Sequence, residues 1–363
     1  MSLASAFEEP IRLFARPVAI LKSDQRVVLK RGCTEVAVDG AYAAEIVTAI
    51  FERAKTGLSA ADLDGLFSPQ ERDAVWQLVD QLVQKDLLYR ARNGTPESDR
   101  SETSTDVFFW HFGLTAAQAR DALSRRLFVV VGLNSISREI GSGLFALGAS
   151  AGKVVLVDDP LLRNSHWLAN QQKCSAEIWS AKLHGPQAAD LWREEAAPGS
   201  CDCLIATSDF GGQNQLRPWN ELSHRLGFNF LPVLLDNMIG QVGPFVVPRQ
   251  SPCLECLRIR QNTNTSDPDL VRTIQNEAPA CQAVNGFHPL MNSVTSNIAL
   301  FEILRFYTSL PQHKVGMLVE VNLLSGSVTS RRVLKVPRCP VCSSASNRPT
   351  TATFKNPLFL PAD

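Results

Sequence analysis

Two pairs of cysteines carry the plainest chemistry in the sequence. Cys253-Leu-Glu-Cys256 follows Pro252, and Cys339-Pro-Val-Cys342 follows Arg338. A C-x-x-C turn directs two thiolates to one side of a metal ion. Two such turns complete a tetrahedral four-sulfur set with no open position, the donor chemistry of structural zinc. A site of that kind ties remote segments together and performs no catalysis. Neither pair opens a helix after a strand, which argues against a redox disulfide. The bland alternative is four unrelated buried thiols. Burial is also the expectation for the other five cysteines, Cys33, Cys174, Cys201, Cys203 and Cys281.

A second set of residues points toward phosphate chemistry. The apolar run Leu127–Val131 ends at Gly132, and the turn reads Gly132-Leu-Asn134-Ser-Ile-Ser-Arg-Glu139. A glycine-rich turn leading into a helix offers backbone N–H groups and a helix N-terminus to phosphates. Only the first glycine stands here, so an ordinary strand-to-helix turn explains the segment equally well. Asp158 ends a second apolar run, Val154–Val157, where a carboxylate can accept hydrogen bonds from a ribose. Acids at strand ends are common, and Asp158 alone is a weak signal.

These residues need a frame to hold them. Strand, turn, helix (Ile140 to Ala149), strand and terminal acid make a βαβ unit, and the fully apolar runs read as strands buried on both faces. Later runs at Cys203–Ala206 and Phe230–Leu235 extend a mostly parallel sheet. The first 90 residues differ. Three short β-rich runs (Val18–Leu21, Arg26–Leu29, Glu35–Val38) precede helical patterns at Ala41–Lys55 and from Ser68. Ser68, Pro69 and Glu71 predict a capping box opening the last helix, with Val75, Leu78, Val79, Leu82 and Val83 on one face. Three strands followed by three helices predict a small winged-helix domain. Residues 91–106 contain no large apolar side chain and read as a linker. The predicted organisation is therefore a winged-helix domain over 1–90, a linker over 91–106, and an α/β domain over 107–363.

Bulk properties bound the function. The chain has 363 residues, 45% hydrophobic and 20% charged, with Lys+Arg and Asp+Glu both totalling 36. The balanced charge points to no nucleic-acid or membrane surface. No stretch is long and apolar enough to span a bilayer, and Met1–Arg12 lacks the pattern of a signal peptide. The cytoplasm is the expected location.

Taken in order, the motifs resemble the ThiF/E1 family. The resemblance rests on Val131-Gly132, Ala149-Ser-Ala-Gly152, Val154–Asp158, Asp209 after Cys203–Ser208, Val242-Gly-Pro-Phe245 before Cys253, Pro289-Leu290 before a helix, and the two C-x-x-C pairs. Within that family the chain resembles members that modify ribosomally made peptides and carry an N-terminal winged-helix clamp, the RiPP recognition element. The resemblance implies a Rossmann-like E1 domain with structural Zn²⁺ on Cys253, Cys256, Cys339 and Cys342. It implies ATP and Mg²⁺, with Lys182 on the phosphates, Asp209 on the metal, Asp158 on the ribose, and Gly132 and Asn134 in the phosphate turn. Departures are evident. The glycine turn is degenerate and longer, the family arginine in Ser165–Asn170 is replaced by Ala169, and the family's Arg-Gln pair is missing around Thr105-Asp106. Arg138 and Arg163 are candidate substitutes for the arginine. Cys281 is the nearest counterpart of the thioester cysteine, with an incidental thiol the simpler reading.

The resemblance implies an enzyme that adenylates a carboxyl of a precursor peptide held by its leader, acting as a homodimer. The alternative is a non-catalytic adaptor that delivers the leader to a separate cyclodehydratase. A sulfur-carrier activator is disfavoured by the N-terminal clamp. Retention of Asp158, Lys182 and Asp209 favours the enzyme, and the lost glycines and arginine favour the adaptor.

Overall fold

The computed structural model describes residues 12–91, 102–172, 179, 183–236, 238–277, 286–310 and 314–343. It divides into two compact units, Met1–Ala116 and Ala117–Asp363.

In the first unit, β1 (Leu13–Ala15) pairs antiparallel with β5 (Leu88–Arg90). Between them β2 (Ala19–Lys22), β3 (Arg26–Arg31) and β4 (Thr34–Asp39) form an antiparallel meander in the order β2-β3-β4. Strand alternation sends Val27 and Leu29 of β3 inward, both fully buried. They meet α1 (Ala43–Ala54), α2 (Ala60–Leu66) and α3 (Arg72–Gln84) through Val47, Ile50, Leu63, Val75 and Val79. The three expected strands and the helices after them are all present. The box at Ser68 forms only in part: Glu71 accepts from the Ser68 N–H and Oγ, at 3.0 and 2.7 Å, while the helix proper begins at Arg72. A complete box, Ser59 with Asp62, opens α2.

Thr103 and Asp106 form a further capping box that opens α4 (Ser104–Trp110). This helix packs on the first unit. Arg31, almost fully buried, donates to both oxygens of Glu102 at 2.8 Å, and its guanidinium lies 4.6 Å over the Trp110 ring. Trp110 Nε1 donates to Asp86 at 2.6 Å. The polar run that reads as a linker therefore ends in an anchored helix.

The second unit is built on an eight-stranded sheet. In chain order its elements are α5 (Ala116–Ser124), β6 (Phe128–Val131), α6 (Ser135–Leu147), β7 (Val154–Asp158), α7 (Ser165–Gln172), β8 (His184–Ala188), α8 (Ala189–Glu195), β9 (Cys203–Ser208), α9 (Arg217–Leu226), β10 (Asn229–Asp236), β11 (Ile239–Val242), α10 (Leu254–Thr263), α11 (Pro268–Glu277), α12 (Pro289–Tyr307), β12 (Met317–Asn322) and β13 (Ser327–Arg332). The sheet order is β13-β12-β11-β10-β9-β6-β7-β8. The five strands from β10 to β8 run parallel, and β11, β12 and β13 add antiparallel pairs. β6 and β9 are buried along their whole length, as their unbroken apolar runs require. Val129, Val131, Leu204, Ala206 and Phe230 pack with Trp192, Trp219, Leu254 and Leu257 in one core that also holds the four C-x-x-C cysteines. α12 packs against α6, β10 and β11. Glycine makes this approach possible: a Cβ on Gly143 would lie 2.1 Å from Leu300 Cδ1, and one on Gly240 would lie 2.3 Å from Thr295 Oγ1. No helix among the described residues is long and apolar enough to cross a membrane.

Candidate metal centre and nucleotide cleft

The two cysteine pairs converge. Cys253 precedes α10 and Cys256 lies in its first turn, while Cys339 and Cys342 follow β13. All four are buried, and their sulfurs lie within 4.8 Å of one another. Separations are 3.9 Å for Cys253–Cys256, 3.6 Å for Cys253–Cys339 and 3.3 Å for Cys256–Cys342. A tetrahedral zinc with Zn–S bonds of about 2.3 Å places its sulfurs about 3.8 Å apart. The donor set fits zinc.

The surroundings hold the sulfurs in place. The Val336 N–H donates to Cys256 Sγ at 3.3 Å, and Asn220 Oδ1 accepts from the Leu254 N–H at 3.2 Å. Glu255, inside the first pair, is buried between Arg217 at 3.0 Å and Arg258 at 2.6 Å. Arg260 donates to the Leu334 carbonyl at 2.8 Å, fastening the segment that leads to the second pair. A set of four thiolates leaves no open coordination position, which is the donor arrangement of structural rather than catalytic zinc. Of the remaining cysteines, Cys201 and Cys203 are buried, and burial pushes Cys203 up to about 12. Cys33 is exposed, against expectation, because it stands in the tight β3–β4 turn beside Gly32 at φ +56°. Cys174 and Cys281 lie outside the described residues.

The nucleotide cleft of such a sheet lies at the carboxyl ends of β6 and β9, where strand order reverses. Gly132 follows β6 at φ +106°, and a Cβ there would lie 2.8 Å from both the Asn134 side chain and the Thr207 carbonyl. Asn134 caps α6: its Oδ1 accepts from the Ser137 N–H at 3.0 Å. Its Nδ2 lies within hydrogen-bond reach of the Leu162 carbonyl (3.2 Å), the Thr207 carbonyl (3.1 Å) and Thr207 Oγ1 (3.0 Å). Asp209, after β9, is fully buried. Its Oδ2 accepts from the Ser135 N–H at 3.1 Å and Ser135 Oγ at 3.0 Å, and its Oδ1 accepts from Asn164 Nδ2 at 2.8 Å. Burial pushes this carboxyl above its ordinary range, opposed by the bonds from Asn164 and Ser135. Asn292 of α12 donates to Ser135 Oγ from the other side. Asp158 is paired with Arg163, whose Nε lies 3.1 Å away. Arg138 lies 5.4 Å over the Trp167 ring. Lys182 lies outside the described residues.

The structure thus brings Gly132, Asn134 and Asp209 together, and places Asp158 at the end of β7. Among the described residues, these groups are engaged by the chain itself. The carboxylate that would face the metal is enclosed, the first helical amide of α6 is satisfied by it, and the ribose acid is held by an arginine. Sequence reading missed Ser135, Asn164 and Asn292. Only Asn164 had a cue, its place beside the divergent Ser165–Asn170 stretch. It also missed Asp159, buried and accepting from Trp219 Nε1 at 2.8 Å and Arg193 at 3.1 Å.

No protein-family model and no curated protein matches the chain by sequence. Solved structures do match. The microcin C7 biosynthetic enzyme MccB in complex with N-formylated MccA aligns at a TM-score of 0.64 with 15% identity, covering 92% of this chain and 100% of that one. Escherichia coli MccB with AMPCPP and MccA aligns at 0.63 with 14% identity and the same coverages. The heterocyclase TruD aligns at 0.57 with 14% identity over 92% of this chain but 43% of its own. The chain spans about two-fifths of the length of such heterocyclases. The fold of this chain, a small antiparallel unit followed in sequence by an α/β unit with a mostly parallel sheet and a four-cysteine cluster, is the fold of MccB and of the matching part of TruD.

Proposed function

We propose that the chain works in the maturation of a ribosomally made peptide, holding the precursor's leader on its first unit. The observation that carries this is coverage. An alignment over 92% of 363 residues leaves out about 29, so it must reach well into a first unit of 116. Both kinds of neighbour therefore share a counterpart of that unit, whether whole like MccB or fused into a longer heterocyclase. Among the described residues β4 is an edge strand, with β3 on one side. Alternate backbone groups of Thr34–Asp39 face away from β3, and an extended leader can add there as a further strand alongside α3. The second unit then acts as the scaffold that presents the peptide to ATP-dependent chemistry.

The test is binding of a labelled candidate precursor peptide, drawn from short open reading frames sought next to the gene, followed by fluorescence anisotropy with the full chain. Ala37→Pro removes a strand amide and bars pairing at the edge, so affinity should fall at least about tenfold. Unchanged affinity in a folded Ala37→Pro protein would place the leader elsewhere. A second reading, adenylation of a peptide carboxyl by this chain, is favoured by the match to the full length of MccB, which has been crystallised with AMPCPP. Under either reading a homodimer through the second unit is proposed, and sedimentation at micromolar concentration tests it.

A further inference from the structure

We infer that the phosphate position of the second unit is filled by the chain's own Asp209, so that this chain takes up no Mg·ATP.

The argument starts from the helix that follows β6. The N-terminus of a helix leaves amides without intrahelical partners, and in nucleotide-binding α/β sheets phosphate oxygens satisfy them. Here the chain supplies its own acceptors. Ser135 N–H goes to the Asp209 carboxylate, and Ser137 N–H goes to Asn134. Every contact made by Asp209 is with a donor: Ser135 N–H, Ser135 Oγ and Asn164 Nδ2. A chain of donors, Asn292 to Ser135 to Asp209, fixes the direction of the hydroxyl hydrogen. A carboxylate placed there also complements the positive end of the α6 dipole. Three of the roughly four acceptor sites of the carboxylate are taken by these donors, so a metal approaching Oδ2 would have to displace a Ser135 donor and strand a buried polar group.

The surroundings exclude a nucleotide a second time. Flat backbone at the turn would let phosphates approach, but the Asn134 side chain lies across it, bonded to residues after β7 and in β9. Asp158 is engaged by Arg163, the candidate replacement for the missing family arginine. The retained acid is thus held by the chain's own arginine.

The experiment is calorimetric titration of the full chain with Mg·ATP, and with its methylene analogue AMPCPP, up to about 1 mM, alone and with precursor present. No saturable heat is expected in any arm. A dissociation constant below about 0.1 mM in either arm overturns the inference. The second measurement is thermal unfolding of Asp209→Asn. An amide in place of the carboxylate turns one donor against Ser135 or Asn164, so Tm should fall by at least about 4 °C. Precursor affinity should stay within about twofold. An unshifted Tm would show that Asp209 is not the internal acceptor. Should Asp209→Asn fail to fold, the wild-type titration still decides. Precursor binding is scored separately, so its absence removes the peptide-holding reading and leaves the filled phosphate position standing.

Discussion

Glu102→Gln is expected to loosen the first unit. Arg31 is 2% exposed and Glu102 28% exposed at the side chain, and two parallel bonds of 2.8 Å join them. The remaining ties of Arg31 are the Pro17 carbonyl at 2.8 Å and the Trp110 ring. Removing the Glu102 charge leaves a buried guanidinium with neutral partners only. Breaking a buried pair costs about 3–5 kcal/mol, and partial exposure of Glu102 brings the expectation to about 2–3 kcal/mol. For a unit of this size that corresponds to a fall in Tm on the order of 10 °C. The assay is urea unfolding of the full chain, with hydrogen exchange read on β3 and α4. The double variant Arg31→Met/Glu102→Leu removes both charges and should recover at least half of the loss, because apolar replacement of a buried pair is often near neutral. A Glu102→Gln protein within about 0.5 kcal/mol of wild type would refute the reasoning, and so would a double variant no better than the single one.

Cys339→Ser should lower zinc content well below the expected ratio of about one per chain and reduce soluble yield, because metal-binding energy is folding energy; metal analysis of a folded, metal-free wild-type protein would contradict it. Asp62→Ala should cost about 1 kcal/mol at pH 7 through loss of the reciprocal half of the α2 capping box, Ser59 remaining as the N-cap. Ser59 lowers the Asp62 carboxyl below its ordinary range, with Arg53 helping. Its contribution is therefore fully present above the unfolded value of about 4 and is lost as pH falls below it, so wild type and variant should converge in acid. Gly143→Val should destabilise by about 1–3 kcal/mol, since its side chain must displace Leu300, and thermal unfolding reads the effect directly.

Much of this was legible in the chain. β6 and β9 announce themselves because a strand buried on both faces needs no polar alternation, and Val129, Val130, Leu204 and Ile205 supply none. The four-cysteine cluster was legible because ligand spacing is local within each pair. The cleft was harder. Asp209 stands where a metal-binding acid would stand, and nothing in its sequence neighbourhood reveals that Ser135, 74 positions away, and Asn164, 45 away, have claimed it. The same limit applies to α4. A run without large apolar residues reads as linker, yet Thr103 and Asp106 cap a helix whose anchors, Arg31 and Asp86, are remote in sequence.

The cysteine cluster also bears on mechanics. Cys253 and Cys339 are 86 residues apart, and between them lie α12 and strands β12 and β13. With metal bound, that stretch becomes a closed ring, which by loop-closure arithmetic removes about 4.6 kcal/mol of chain entropy from the unfolded state. Tension applied beyond Cys342 would be borne by metal–sulfur bonds before it reached the sheet, so strands β12 and β13 would unzip only after the clasp had opened. The clasp is the element that fails first when metal is withdrawn, and pulling on the two ends with and without chelator should show two different force thresholds.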